Sequence, residues 1–227
     1  MSTWVNERVV CGACGESTAT QTARGVHATR APEVRTLVLA GRLHRVPCAA
    51  CGAVIDVQRD FVFTDFRRGD WVRVATPAAL AGWATIEAET EAQFHHAMHQ
   101  GAPVVAQLAP TFRVRVVFDV DELRERLVIA DAGLDDAIVE CAKLSCLAEK
   151  PDLAVPGARI RVRTVEPGGD LVLASVSAEH PDRERARWTV PAALVARVAA
   201  ERAAWETSNP ELFDRAFVSL DRYLLAG

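Results

Sequence analysis

Two copies of one cysteine motif constrain this chain more than any other feature of its sequence. Residues 11–15 read Cys-Gly-Ala-Cys-Gly, and residues 48–52 read Cys-Ala-Ala-Cys-Gly. The motif is typical of a zinc knuckle, a tight turn that aims two sulfurs at one point and leaves the next residue in a left-handed conformation, which glycine adopts without strain. Two knuckles supply four thiolates, the closed tetrahedral set of a structural Zn²⁺ site. The pattern predicts one structural zinc ion whose ligands are Cys11, Cys14, Cys48 and Cys51.

Two other interpretations of these four cysteines stay open: a thiol–disulfide redox centre and a pair of disulfides. Redox Cys-x-x-Cys pairs usually open a helix, because the helix N-terminus lowers the thiol pKa. The residues after each pair, 16–22 and 53–57, instead have the pattern of strands. Disulfides are disfavoured because cytosolic thiols stay reduced. A catalytic zinc ion is disfavoured because four protein thiolates leave no position for water.

The overall composition predicts a globular protein. Half of the 227 residues are apolar and a quarter are charged, which is enough apolar material for a sizeable core. This composition excludes a disordered chain, a collagen-like fibre and a small disulfide scaffold. No run approaches the roughly 20 apolar residues that a membrane span needs, and the first residues show no basic region followed by an apolar stretch. We therefore expect a cytoplasmic protein.

The hydrophobic pattern changes near residue 76 and predicts an α+β protein of two domains. Residues 1–76 read as short strands around the two cysteine pairs, which predicts a four-cysteine zinc β-ribbon. A ribbon this small has little core, so metal binding should supply much of its folding free energy. Residues 77–227 predict a compact mixed α/β body fused to the ribbon. Its predicted elements are a helix over residues 77–100, a strand over 111–118, two helices joined at Gly133, a β-hairpin over 158–177 and two C-terminal helices that begin at Pro191 and Asn209.

The charge distribution does not favour a nucleic-acid partner. The formal net charge is −4; residues 1–80 carry +3, residues 81–150 carry −6 and residues 151–227 carry −1. Nucleic-acid binders usually concentrate cations on one face, and a domain pI above about 9 is their common mark. The N-terminal surplus falls to about +1 once four thiolates and one Zn²⁺ are counted.

Residues beyond the cysteines carry a family resemblance. Residues 61–65 (Phe-Val-Phe-Thr-Asp), 115–117, 121–127 and 131–140 lie at intervals after the cysteine pairs. Together with those pairs, they resemble the bacterial CpXC zinc-ribbon family over residues 5–145. The resemblance implies a zinc site and a bacterial source, and it implies no reaction. The family is named for a proline after the first cysteine of each pair; Gly12 and Ala49 stand there, and since proline donates no ligand atom, the metal ligands are unaffected.

A possible second metal site lies on the predicted helix over residues 77–100. Glu91, His95 and His99 recur every four residues and therefore stack along one helical face. Two histidines and a carboxylate can hold a catalytic metal with an open position, as in a metal-dependent hydrolase. A solvated helix face explains the same residues, and the neighbouring Glu87 and Glu89 favour that interpretation.

Two further clusters are candidates for an interaction surface. Arg67 and Arg68 lie between Phe66 and Trp71. Arginine beside aromatic rings can stack a single-stranded base, although the same composition is ordinary on a small ribbon. The second cluster consists of Asp131, Asp135 and Asp136. It lacks the ligand pattern of an EF-hand loop, so helix capping at a helix–helix corner explains it better.

The sequence contains no motif that identifies an enzyme: there is no glycine-rich phosphate loop, no dinucleotide fingerprint and no nucleophile elbow. We therefore expect a non-catalytic zinc-ribbon protein that acts as a protein–protein interaction or scaffold module, with another protein as its partner and no membrane. The first alternative is a regulatory zinc ribbon that binds nucleic acid. The second is a hydrolase that uses Glu91, His95 and His99.

Overall fold

The computed structural model describes residues 2–100, 103–153, 157–177 and 184–224. Over these residues the chain is a mixed α/β protein with a four-cysteine cluster near its N-terminus and a hairpin and helices near its C-terminus, which confirms the predicted fold class. It divides into two compact units, Met1–Leu123 and Arg124–Gly227. No helix in this part of the chain is long and apolar enough to cross a membrane.

The first unit is built mainly from strands. They are β1 (Thr3–Val10), β2 (Ser17–His27), β3 (Arg45–Pro47), β4 (Val54–Asp56), β5 (Phe61–Asp65), β6 (Asp70–Val74) and β7 (Arg113–Val117). Its helices are α1 (Pro32–Leu39), α2 (Trp83–His99) and α3 (Pro103–Leu108); helix α4 (Val120–Asp131) begins in this unit and ends in the second. A 3₁₀ helix at Pro77–Gly82 precedes α2, so the helical segment predicted over residues 77–100 is confirmed in two pieces.

Five of these strands form one sheet in the order β1-β2-β5-β6-β7. The pairs β1/β2 and β5/β6 are antiparallel, whereas β2/β5 and β6/β7 are parallel. The sheet thus contains both the strands predicted for the ribbon and β7, which was predicted in the body. Strands β3 and β4 form a separate antiparallel hairpin. The predicted division into a ribbon domain over residues 1–76 and a body over residues 77–227 stays a prediction.

The core of the first unit lies along β5 and β6. Phe61 and Phe63 alternate with less buried neighbours on β5, and each is at most 3% exposed. Helix α1 buries Val34 and Val38, whose spacing of four residues places them on one helical face. It ends just before Gly41, whose φ of 63° is the left-handed conformation that commonly ends a helix.

The second unit packs helices against a small antiparallel sheet. Its strands are β8 (Ala158–Val165), β9 (Leu171–Ser177) and β10 (Glu184–Val190), in the order β10-β9-β8. Its helices are α5 (Asp136–Glu149), α6 (Ala192–Ala200), α7 (Arg202–Ser208), α8 (Glu211–Asp214) and α9 (Asp221–Leu224). The predicted hairpin is confirmed as β8 and β9, and β10 is a strand that the sequence pattern did not predict. Helix α5 buries nine of its fourteen residues and is therefore the central helix of this unit.

The C-terminal segment differs from its prediction. In place of one helix from residue 209 onward, the structure has two single helical turns, α8 and α9, joined by an irregular and buried segment over residues 216–220. Side chains satisfy the backbone of this segment: Arg126 donates to the Val218 carbonyl, and the Leu220 N–H donates to Glu140 at 2.9 Å. This segment is buried and is therefore as rich in apolar residues as the buried face of a helix. Its hydrophobic periodicity for that reason predicted one continuous helix, which the structure does not contain.

Candidate metal centre

Both cysteine pairs lie in the turns of β-hairpins. One pair lies between β1 and β2, and the other between β3 and β4. The two turns share one hydrogen-bond pattern: the Gly15 N–H donates to the Cys11 carbonyl at 2.8 Å, and the Gly52 N–H donates to the Cys48 carbonyl at 2.9 Å. The φ angles of Gly15 and Gly52 are 76° and 74°. These are the left-handed conformations that the motif predicts, because only glycine adopts them without strain.

The two turns bring all four cysteine sulfurs together, within 4.8 Å of one another. Cys11 Sγ lies 3.7 Å from Cys51 Sγ, and Cys14 Sγ lies 3.6 Å from Cys48 Sγ. With metal–sulfur bonds of about 2.3 Å, two sulfurs of a tetrahedral site are about 3.8 Å apart, whereas a disulfide bond measures about 2.05 Å. All four residues are free thiols. Their arrangement can hold one tetrahedrally coordinated metal ion.

The electrostatics of the cluster favour a bound cation. Hydrogen bonds from the backbone N–H groups of Cys51 and Ala50 lower the pKa of Cys48 to about 6. At Cys14 a hydrogen bond from the Glu16 backbone lowers the pKa, but the neighbouring thiols and burial outweigh it and raise the pKa to about 12. Sulfurs this close repel one another when all are ionised. A metal cation removes that penalty.

His44 attaches the second hairpin to the five-stranded sheet, a role that the sequence did not reveal. Its Nε2 accepts a hydrogen bond from the Ala23 N–H of β2 at 2.9 Å, and its carbonyl accepts from the Val57 N–H at 2.9 Å. The side chain is buried and makes a T-shaped contact with Phe61, with ring centroids 5.1 Å apart. Burial lowers the pKa of His44 to about 4, so the ring is neutral and accepts this bond at neutral pH. His44 has a φ of 61°, an uncommon conformation for a residue other than glycine.

A second contact joins the two cysteine turns directly. The Ala49 N–H, in the second turn, donates to Oγ1 of Thr18 at 3.2 Å, and Thr18 lies at the start of β2 just after the first turn. Thr18 is buried whereas Ala49 is exposed, so this hydrogen bond is partly buried. Together with the His44 bond, it holds the second turn against the five-stranded sheet.

The predicted arginine–aromatic cluster is only partly on the surface. Phe66 is 42% exposed and stacks on His27, with ring centroids 4.8 Å apart. Arg67 and Arg68 are exposed beside it, in the turn between β5 and β6. Trp71 is only 5% exposed and makes a T-shaped contact with Phe94. The exposed part of this cluster is therefore residues 66–68.

The predicted aspartate cluster surrounds the start of helix α5. Asp135 is the N-cap of this helix, and its side chain accepts from the Ala137 N–H at 2.9 Å, so the predicted capping role is confirmed. Asp136 is buried, and its carboxylate lies 3.4 Å from the Arg126 guanidinium. Asp131 is exposed at the end of α4. One aspartate thus caps a helix and another pairs with a buried cation.

The three residues of the possible second metal site all lie on α2. His95 and His99 are exposed and their rings are in contact, with centroids 4.3 Å apart. Over the described ranges of the chain, however, the four cysteines are the one group of three or more metal-ligating side chains close enough to share an ion. Glu91, His95 and His99 therefore do not form one such group.

The remaining two cysteines lie in the second unit. Cys141 and Cys146 are buried on helix α5. Burial raises the pKa of Cys141 to about 12. These two thiols pack in the core.

The fold and the site define a class: mixed α/β proteins with a four-cysteine site assembled from two hairpin turns. A family model described as CpXC protein matches residues 9–143, which is more than half of the chain and includes all four cysteines. The chain therefore belongs to the CpXC family, as its motifs predict. Comparisons with curated proteins and with solved structures found no match.

Proposed function

We propose that the four-cysteine cluster holds one structural Zn²⁺ and that this protein is a non-catalytic binding or scaffold module whose partner is another protein. The observation that carries the zinc assignment is the pair of sulfur–sulfur distances, 3.6 and 3.7 Å, which match the edge of a thiolate–zinc tetrahedron. Thiolates also favour zinc among the common divalent ions. Bound there, the ion would cross-link the β1–β2 turn to the β3–β4 turn.

A structural role fits this ligand set better than a catalytic one. A catalytic zinc ion keeps one coordination position for water, whereas four thiolates complete the tetrahedral shell. The short hairpin of β3 and β4 has little buried surface of its own: Ile55 is half-buried, while Val54 and Asp56 are exposed. Its attachment to the sheet therefore depends on the metal site and on the contacts of His44 and Thr18.

Metal analysis of the purified full chain tests the zinc site. We expect one zinc ion per chain in the wild type and loss of that ion in Cys48→Ser, together with a lower stability of the first unit. Cys146→Ser is a matched control, because it removes a buried thiol from the second unit. It should keep its zinc. A fully folded wild-type chain that binds no metal would contradict the proposal.

The proposal of a protein partner rests on apolar side chains beside the cysteine turns. Val10 immediately precedes Cys11, and Val54 lies three residues after Cys51; each valine is 68% exposed. Exposed apolar surface of this kind marks interaction sites when it forms a patch. A turn fixed by a metal presents such side chains in one conformation, which lowers the entropic cost of binding.

A cross-linking and co-purification experiment tests this surface. We expect the double variant Val10→Glu and Val54→Glu to lose a partner that the wild type retains, with zinc content unchanged. Val104→Glu is the control, because Val104 is 61% exposed but lies on α3, away from both turns in the chain. Equal recovery of every bound protein by the wild type and both variants would argue against this surface.

Nucleic-acid binding is the second candidate function, and the exposed Phe66 with Arg67 and Arg68 is the observation that favours it. Bases stack on such rings, and arginine contributes cation–π and phosphate contacts. Binding of single-stranded DNA or RNA should then weaken steeply as salt rises, because phosphate contacts release counterions. At a fixed salt concentration, the variants Phe66→Ala and Arg67→Ala should each bind single-stranded DNA or RNA more weakly than the wild type. An absence of salt-sensitive binding would remove this candidate.

A further inference from the structure

Two surface histidines are paired at the end of helix α2. His95 and His99 are four residues apart, so the helix holds them on one face, one turn from each other. Both side chains are exposed, and their rings lie 4.3 Å apart with planes tilted by 33°. Within the described parts of the chain, neither imidazole has a hydrogen bond or an ion pair. Their nitrogens are therefore open to a ligand from solution.

The chemistry of this pair suits a transition-metal ion. Imidazole nitrogen is a preferred ligand for Zn²⁺, Ni²⁺ and Cu²⁺. Once one ring holds an ion, the second ring binds it as an intramolecular event at high effective concentration, because the helix already places both rings together. His99 is also the last residue of α2. The C-terminal end of a helix carries partial negative charge, which favours a bound cation.

We propose that His95 and His99 form a surface site that binds one divalent transition-metal ion through two imidazole nitrogens, with water in the remaining positions. This site is separate from the four-cysteine cluster and takes a different class of ligand set, nitrogen rather than sulfur. Because Glu91, His95 and His99 do not form a group of three ligands, the proposed site has two protein ligands rather than the three of a catalytic centre. Open water positions make it a weaker and exchangeable site.

The test is a calorimetric titration of the full chain with nickel chloride, after the cysteine site has been saturated with zinc. Ni²⁺ is a suitable probe because it binds imidazole readily and tolerates several water ligands. The wild type should bind one further ion per chain. His95→Gln and His99→Gln should each weaken that binding by more than about tenfold, since each removes one of two ligands and with it the intramolecular second binding step. His96→Gln is the control, because His96 is exposed on the same helix but points away from the pair.

The outcomes separate this site from the proposed zinc site. Nickel binding that is unchanged in His95→Gln and His99→Gln, or that falls equally in His96→Gln, would overturn the proposal. Nickel binding that disappears only in Cys48→Ser would assign the ion to the cysteine cluster and would overturn it as well. A wild-type chain that takes up no zinc would defeat the proposed structural site, yet the histidine variants would still report on this one.

Discussion

The Lys143 ammonium donates a hydrogen bond to Oε1 of Glu125 at 2.6 Å, and both side chains are only 1% exposed. The same ammonium donates to Oε1 of Glu140 at 2.7 Å, so one cation lies between two buried carboxylates. Burial acts to raise the pKa of Glu125, but the charges of Lys143 and Arg161 outweigh it and hold that pKa below its ordinary value. Burial holds the pKa of Glu140 above its ordinary value. In the core of the second unit, the charge of each of these three side chains therefore depends on the charges of the other two.

Replacement of Lys143 by methionine should destabilise the second unit severely. The change leaves Glu125 and Glu140 facing each other without the shared cation, and breaking a buried ion pair in this way costs about 3–5 kcal/mol. We expect the midpoint of urea unfolding to fall accordingly. The double variant Glu125→Gln with Lys143→Met should recover part of the loss, because it also removes one of the two carboxylate charges.

The chain offers a matched control for this substitution. Its other lysine, Lys150, is exposed at the end of helix α5, so Lys150→Met removes the same charge without a buried partner. The free energy of unfolding of that variant should lie within about 0.5 kcal/mol of the wild-type value. Equal effects of the two methionine variants would show that the buried network contributes no stability.

Removal of residues 215–227 should unfold the second unit. Between α8 and α9 this segment has little secondary structure of its own, yet Phe217, Val218 and Leu220 are completely buried. It also provides a hydrogen-bond donor to a buried carboxylate of helix α5, since the Leu220 N–H donates to Glu140. A chain that stops after Asp214 should lose its near-ultraviolet circular dichroism and its cooperative unfolding transition.

The control for this truncation is Leu224→Ser, because Leu224 is 49% exposed and follows the buried segment. It should leave the spectrum and the unfolding transition unchanged. A truncated chain that still unfolds cooperatively at the wild-type midpoint would contradict the prediction. The family match ends at Lys143, inside this charge network, so we expect a fragment that stops there to leave the second unit unfolded too.

His44 predicts a pH dependence of stability. Burial lowers its pKa to about 4 in the folded state, against 6.5 for an ordinary histidine, so the unfolded state binds the proton first as the pH falls. The stabilisation is fully present above pH 6.5 and is lost as the pH falls from 6.5 to 4. Its size is about 3 kcal/mol, from the difference between the two pKa values.

The variant His44→Gln isolates this contribution from the acid-induced loss of metal. Glutamine offers an oxygen that can accept the Ala23 N–H bond but does not titrate in this range. Its free energy of unfolding, measured by denaturant titration across this range, should depend less on pH than that of the wild type. Parallel pH profiles for the two proteins would contradict the assignment to His44.

Gly52→Ala should destabilise the second cysteine turn through backbone conformation alone. A Cβ atom at position 52 would meet nothing within 4 Å, but the φ of 74° is unfavourable for alanine. The expected cost is about 1–2 kcal/mol, measured as weaker zinc affinity in competition with a chelator. Gly12→Ala is the control, because a Cβ there also meets nothing within 4 Å and no positive φ is required. Equal zinc affinities of both variants would show that the left-handed turn is dispensable.

Local features of this protein were predictable from its sequence. The conformation of each cysteine turn follows from residues that are neighbours in the chain, and Gly15 and Gly52 have the predicted positive φ. The capping role of Asp135 was predictable for the same reason, since an N-cap side chain accepts hydrogen bonds from backbone N–H groups only two or three residues away. The hairpin of β8 and β9 joins segments that are close in sequence, so its pattern was also readable.

Contacts between distant residues were not predictable in this way. His44 reads as an ordinary polar residue near a turn, and only the folded chain shows its Nε2 beside the Ala23 amide. The apolar run near the C-terminus fits a helix equally well, because periodicity cannot show that Val218 and Leu220 bond to side chains on α4 and α5. The parallel pairs β2/β5 and β6/β7 likewise leave no local mark.

The sequence by itself determined the two glycine-ended turns and the four sulfur atoms that they carry, because a turn is specified by a few adjacent residues and their allowed φ angles. Only the tertiary structure decided that Cys11 meets Cys51 and Cys14 meets Cys48, and that Lys143 is enclosed by Glu125 and Glu140. Such contacts depend on how strands pair and helices pack across the whole chain. Hydrophobic burial and hydrogen-bond satisfaction select that packing globally, which no short stretch of sequence specifies.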